Sequence, residues 1–369
     1  MNGVANLSLA DDSSLGEIAF IDLKAQQRRI RANVEARLKD VLDHGRYIAG
    51  PEIDELEALL AEKTGAAAAV ACASGTAALI IPLLAAGVDT GDAVFLPAFS
   101  YNATANAVLL AGAAPVFVDI DPGTFNMDPA DLERRIEEVK REGALRPAAV
   151  IPVDLFGSPA DYPAIEKIAA RENLFVLADG AQGFGGQLNG EEVGNIVQVT
   201  ATSFFPGKAL GAYGDAGAVL TKDASLAESW RSIRWHGTDA ARKNSVCVGF
   251  NGRMDTFQAA VLLEKIAIFD EERIARRMIA EIYDRRLSPF AAPQTHIDGA
   301  VSGFGYYSLR IAGRDRIAAS LKSKGVPTAI YYSRRFMKCR PLSAMPRRAA
   351  CRRPRRSRAT SFRCRCIPI

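Results

Sequence analysis

Histidine is scarce in this sequence. His44, His236 and His296 are its only three, and they lie far apart along the chain. A histidine-based metal site needs several imidazoles on one ion, so no metal is expected. The six cysteines form no C-x-x-C pair, and only Cys364 and Cys366 stand close together. Free thiols of this kind fit a reducing compartment. Long unbroken apolar runs are missing too. The longest, Ala66 to Val88, is interrupted by Ser74, Gly75, Thr76 and Pro82. That pattern suits a buried strand, turn and helix rather than a membrane span, and no membrane partner is expected. The N-terminal residues, with Asp11 and Asp12, lack the basic and apolar blocks of a signal segment. A cytoplasmic protein is therefore expected. No G-x-G-x-x-G follows any strand-like segment, which disfavours a dinucleotide site.

Acidic side chains are absent from the C-terminal end. Arg334 to Ile369 hold twelve arginines and one lysine with no acid, and four of the six cysteines. Without this segment 33 basic residues face 42 acidic ones, so the body of the protein is acidic although the whole chain carries +4. The basic character belongs to the tail alone, and no nucleic-acid partner is expected of the body.

What is present is a regular alternation. At 369 residues the chain exceeds one ordinary core, which suggests two domains or one large domain with an appendage. Apolar spacing predicts helices from Leu23 to His44 and from Glu52 to Lys63. Strands are then expected at Ala67–Cys72, Ala93–Leu96, Pro115–Val118, Ala148–Val153 and Leu174–Ala178, with helices between them. Further strands are expected at Val199–Ser203 and Ala216–Leu220. Such a rhythm predicts an α/β fold, a mainly parallel sheet covered by helices on both faces. A long helix from Asp255 to about Leu287 follows. Strands at Tyr306–Ile311 and Val326–Tyr332, with a helix between them, complete a smaller α+β unit.

Several segments carry chemistry. Lys208 lies in Ser203-Phe204-Phe205-Pro206-Gly207-Lys208-Ala209-Leu210-Gly211-Ala212-Tyr213-Gly214-Asp215, among small and apolar residues. A desolvated amine loses proton affinity and attacks carbonyls; an exposed loop lysine is the bland alternative. About thirty residues upstream, an apolar run ends in Asp179. A carbonyl-trapping lysine with an acid for a pyridinium nitrogen is the pattern pyridoxal phosphate (PLP) requires. Cys72-Ala73-Ser74-Gly75-Thr76 lies between a strand and a helix, where backbone amides and hydroxyls bind an anion or where Ser74 is a plain N-cap. Tyr101, past another strand end, stacks on a planar ligand or packs in the core. Asn251 and Arg253 lie on a glycine-flexible turn before the long helix. Arg253 has the forked geometry that holds carboxylates, unless it is merely solvated.

Together these segments resemble the sugar aminotransferases of the DegT/DnrJ/EryC1/StrS family, which have the fold-type I PLP architecture. The resemblance covers residues 18 to 333 and rests on Phe20-Ile21-Asp22-Leu23-Lys24, His44 through Glu52, Asp179-Gly180-Ala181-Gln182, Ser203 through Asp215, and Gly325-Val326-Pro327-Thr328-Ala329. Gln26-Gln27-Arg28-Arg29-Ile30, the Ser-Phe-Phe-Pro form of the lysine motif and Val261 through Ile266 look most like the branch that aminates C3 of UDP-2-acetamido-3-oxo-glucuronate. The resemblance implies a large domain at residues 16–250 with a seven-stranded sheet, a small domain at 251–333, and an N-terminal tail at 1–15. It implies PLP held by Lys208, with Asp179 on the pyridine nitrogen, Gln182 at the ring hydroxyl and Tyr101 on the ring face. Ser74, Gly75, Thr76 and Ser203 would hold the phosphate. Asn251 would reach the phosphate of a neighbouring subunit, which makes a homodimer with shared sites. L-Glutamate would give its amino group to a keto-sugar nucleotide, and Arg253 is the candidate carboxylate clamp. Relatives with histidine in place of the lysine are dehydratases; the lysine here favours transamination. A dehydratase, a 4-keto-sugar aminotransferase and a degenerate, non-catalytic member are the alternatives.

Gly180 and Gly252 are small departures from the family. The C-terminus departs wholly. Its arginine burst is what a shifted reading frame through GC-rich coding sequence yields, and an anion-binding tail is the other reading. With so few apolar residues at regular spacing, the segment is expected to be irregular and to form no closing strand or helix.

Overall fold

The computed structural model describes residues 18–332 and the backbone of residues 366–368. The expectations for residues 1–15 and for most of the arginine-rich tail lie outside the described residues.

The chain enters through α1 (Leu23–His44), whose N-cap Asp22 accepts from the Ala25 amide and whose C-cap Gly45 is left-handed. After α2 (Pro51–Thr64) come β1 (Ala68–Cys72), α3 (Gly75–Ala85), β2 (Asp92–Pro97), α4 (Asn102–Leu110), β3 (Ala114–Val118), α5 (Pro129–Glu142), β4 (Arg146–Val150) and α6 (Tyr162–Glu172). Two short strands follow in line, β5 (Phe175–Val176) and β6 (Ala178–Asp179). A small hairpin, β7 (Gln187–Leu188) and β8 (Glu191–Glu192), leads to β9 (Val199–Ser203), β10 (Gly217–Thr221) and α7 (Ala227–Ile233).

Hydrogen bonding orders the strands as β3-β2-β4-β5 and β6-β9-β10-β1. The two runs are one sheet. Leu177 joins β5 to β6 and donates to the Val150 carbonyl, and Val153 bridges Asp179. Counted this way the sheet has seven strands, as expected, and only β10 runs against its neighbours. Every residue of β2, β9 and β10 is buried, the mark of strands covered on both faces. Alternation on β2 divides the two layers. Val94 and Leu96 pack with α3 and α4, whereas Ala93 and Phe95 pack with α5 and α6.

The long helix α8 (Thr256–Leu287) serves both parts of the molecule. Leu262, Leu263, Ile266 and Phe269 share a core with Leu56 and Leu60 of α2 and with Phe184 and Phe204. Farther along, Ala280 packs with Tyr307 and Leu309. The remaining elements are β11 (Ala292–Pro293), β12 (Ala300–Val301), β13 (Ser308–Arg310), α9 (Arg314–Ser323) and β14 (Cys366–Pro368).

Two expectations fail here. Residues 326–330 carry no strand pairing. The Val326 amide closes α9 on the Leu321 carbonyl, and Pro327 has no amide to give a ladder. The tail does supply a closing strand: β14 pairs antiparallel with β13, Leu309 opposite Ile367. Strand pairing uses backbone groups, so three extended residues suffice at an open edge whatever the composition before them.

Candidate active site

The carboxyl ends of β1, β6 and β9 open onto one cavity of about 360 Å³, the position at which parallel α/β sheets bind ligands. Ser74, Gly75 and Thr76 line it from the turn into α3, Tyr101 from the start of α4, Asp179 and Gln182 from the end of β6, Ser203 from the end of β9, and Lys208 from the loop after it. All eight residues were named from the sequence.

Lys208 is fixed by its loop. The Phe204 amide bonds to the Ala216 carbonyl at 2.8 Å, and the Ala212 amide to the Phe204 carbonyl at 2.7 Å, so the segment folds back on itself. Gly211 is required for this: a Cβ there would fall 2.5 Å from the Pro206 oxygen. Burial lowers the proton affinity of the Lys208 amine, and the charge on Asp179 opposes that shift. A larger neutral fraction at physiological pH makes the amine a better nucleophile.

Asp179 is 4% exposed. Its Oδ2 accepts from the Thr104 hydroxyl at 2.7 Å and its Oδ1 from the Ala181 amide at 3.2 Å. Burial raises its pKa, and Thr104, Ala181 and Lys208 pull against that rise. Among the described residues no cation forms an ion pair with it. A buried carboxylate in that state is matched by a cation brought with a ligand, and a protonated ring nitrogen is one.

The opposite end of the cavity is built for an anion. Ser74 caps α3, its Oγ accepting from the Ala77 amide at 3.2 Å, so both readings of this turn hold at once. The cap leaves the Ser74 hydroxyl proton and the first amides of α3 free to donate. Only glycine allows the turn to sit so close to β9: a Cβ on Gly75 would meet the Ser203 Cβ at 2.6 Å. Gln182 is held by the Phe156 amide, which donates to its Oε1 at 2.8 Å, and its Nε2 donates to the Tyr332 hydroxyl at 3.1 Å.

The remaining wall was not named from the sequence. Tyr306, Tyr331 and Tyr332 line the cavity, and the Tyr332 ring lies 6.4 Å from that of Tyr101. They reach it from the second part of the chain, so no local pattern marks them. Thr104 had a faint signal, since it stands one turn after Tyr101 on the same helix.

Asn251 and Arg253 do not line this cavity. Their loop is pinned to the end of β1, where the Ala73 amide donates to the Gly252 carbonyl at 2.8 Å. Arg253 lies over Trp235, 4.5 Å from the ring, and its Nε is buried without a hydrogen-bond partner. The side chain expected from sequence as a carboxylate clamp therefore stands outside this cavity.

A lysine opposite a buried aspartate, beside a helix N-terminus on this sheet, defines a PLP-dependent transferase of fold-type I. The residues fit that cofactor at both of its charged ends. The DegT/DnrJ/EryC1/StrS aminotransferase family model matches residues 28–369. The chain belongs to that family. It is 46% identical over 316 residues to the UDP-2-acetamido-2-deoxy-3-oxo-D-glucuronate aminotransferase of Pseudomonas aeruginosa, covering 85% of this chain and 86% of that one. A DegT DnrJ EryC1 StrS aminotransferase from Brucella abortus has the same fold, with a TM-score of 0.89, 40% identity and coverage of 95% and 93%. NtdA from Bacillus subtilis, solved with bound cofactor PMP, matches at a TM-score of 0.80 with 27% identity, covering 96% of this chain and 80% of that one. Among the described residues no helix is long and apolar enough to cross a membrane.

Proposed function

We propose that this protein transfers the amino group of L-glutamate to C3 of a UDP-linked 3-keto uronic acid, in the cytoplasm, as a step of surface polysaccharide or O-antigen synthesis. The observation that carries the reading is the pairing of Lys208 and Asp179 across one cavity, in a chain so similar to the Pseudomonas enzyme. PLP, when bound, supplies an electron sink next to the amino group being moved. Asp179 keeps the ring nitrogen protonated so that this sink stays open. Lys208 holds the cofactor, then moves a proton off and onto the reacting carbon. Gln182 meets the ring hydroxyl, Tyr101 covers the ring face, and Ser74, Gly75, Thr76 and Ser203 bind the phosphate. Retention of the lysine favours amination over dehydration.

Asn251 and Arg253 fit this reading as parts of a homodimer, each serving the neighbouring subunit's cavity. Both the donor and a uronate acceptor carry a carboxylate, and one guanidinium can serve each in turn. Arg253→Lys keeps the charge but loses the fork. The Michaelis constants for glutamate and for the acceptor are both expected to rise, and unchanged constants would remove the clamp.

The test of the function is a panel of 3-keto and 4-keto nucleotide sugars with nitrogen-labelled glutamate. Label at C3 of the uronate is expected. Label only at C4, or loss of water without label, would move the reading to one of the alternatives.

A further inference from the structure

Asp154 is a second buried acid behind the first. It lies one residue past the bridge between Val153 and Asp179. Its amide donates to the Asp179 carbonyl at 3.1 Å, and the Asp179 amide donates to the Pro152 carbonyl at 2.8 Å. The Asp154 side chain is 1% exposed and does not reach the cavity. Oδ1 accepts from the Tyr162 hydroxyl at 2.7 Å and the Ala160 amide at 3.0 Å. Oδ2 is buried with no hydrogen-bond partner. The turn that carries Gln182 lies directly over it: a Cβ on Gly183 would fall 2.8 Å from Oδ2. The ionisable groups that act on Asp154 are Tyr162 of α6 and Asp179 of β6, and neither is a cation.

We propose that Asp154 is a positioning residue for the reaction, a second carboxyl that sets how strongly Asp179 holds the protonated ring nitrogen of the cofactor. The proposal rests on the assignment of Asp179 to that nitrogen. The charge on one buried carboxyl makes ionisation of a second beside it harder. When Asp154 is ionised, its charge adds to that of Asp179 and deepens the field that a ring cation feels. When it is protonated, Asp179 acts alone. Burial pushes Asp154 up to about 7, against the pull of the Tyr162 hydroxyl and the Ala160 amide, and the neighbouring Asp179 adds to the rise. The second carboxyl thus changes state across the physiological range.

The test is the affinity of the apoprotein for PLP as a function of pH, measured by quenching of protein fluorescence in the wild type, Asp154→Asn, Tyr162→Phe and Asp179→Asn. Comparison with the wild type at each pH cancels the ionisations of PLP itself. At about pH 6 the Asp154→Asn protein should bind like the wild type. At about pH 8.5 it should bind about fivefold more weakly. Tyr162→Phe removes a donor to the ionised form, so the wild-type inflection should move to higher pH. A ratio that stays constant with pH in Asp154→Asn, or an unmoved inflection in Tyr162→Phe, overturns the proposal. If Asp154→Asn does not fold, the Tyr162→Phe inflection decides alone. Asp179→Asn separates the two levels. Lost turnover there with a flat Asp154→Asn ratio defeats only the role of Asp154, whereas near-normal turnover by Asp179→Asn defeats the ring-nitrogen assignment and this proposal with it.

Discussion

Thr104 shows at the scale of one residue what holds the site. Its hydroxyl is buried and spends its proton on Asp179 Oδ2. Thr104→Val keeps the shape and removes the donor. A hydrogen bond to a charged group contributes roughly 1.5–3 kcal/mol, so kcat/KM is expected to fall by about tenfold or more, together with PLP affinity. Unchanged kinetics would mean that the Ala181 amide alone suffices. Asp154 bears on stability as well. Its carboxyl sits at about 7 when folded, far above the ordinary value of an unfolded aspartate. The folded state therefore binds the extra proton: its contribution is complete below the unfolded value and is lost as pH rises through about 7. The melting temperature of the apo Asp154→Asn protein, relative to wild type, should climb over that interval, and a constant difference would contradict the burial argument. Lys208 was legible in the sequence because glycines and apolar neighbours mark a desolvated amine. Thr104 left only a faint signal and Asp154 none, because each acts through a side chain or backbone that another element brings to it.

At the scale of the element, the alternation of strands and helices was read directly, since strands buried on both faces are short apolar runs bounded by turns. The second part was less legible. Its strands are two or three residues long and owe their pairing to distant partners, β12 to β7 and β14 to β13. Helix α8 carries a feature that periodicity hides. Lys265 is 1% exposed, with its amine 4.6 Å from the centre of the Tyr213 ring, and burial pushes that amine down to about 8. A charge so placed costs folding energy at every pH below about 8, and the cost fades as pH rises from about 8 and is gone above the free-lysine value. Lys265→Met fills the same space without it. Stability at neutral pH is expected to rise by about 1 kcal/mol, seen as a higher denaturation midpoint. A fall would show that the contact with Tyr213 outweighs the burial.

For the whole molecule, we place the division between the two parts inside α8 rather than at residue 251, because the first half of that helix shares its core with α2 and the last turns pack on β13. The cavity needs both parts, with Lys208 and Asp179 from one and the Tyr306, Tyr331 and Tyr332 wall from the other. We propose that Lys208 binds the cofactor covalently. Borohydride reduction of the PLP-loaded protein, followed by peptide mapping, tests it most directly. The reduced adduct is expected on the peptide that contains Lys208 and should be absent from Lys208→Ala, which should keep its fold. An adduct on another lysine, or one that persists in Lys208→Ala, would contradict the claim.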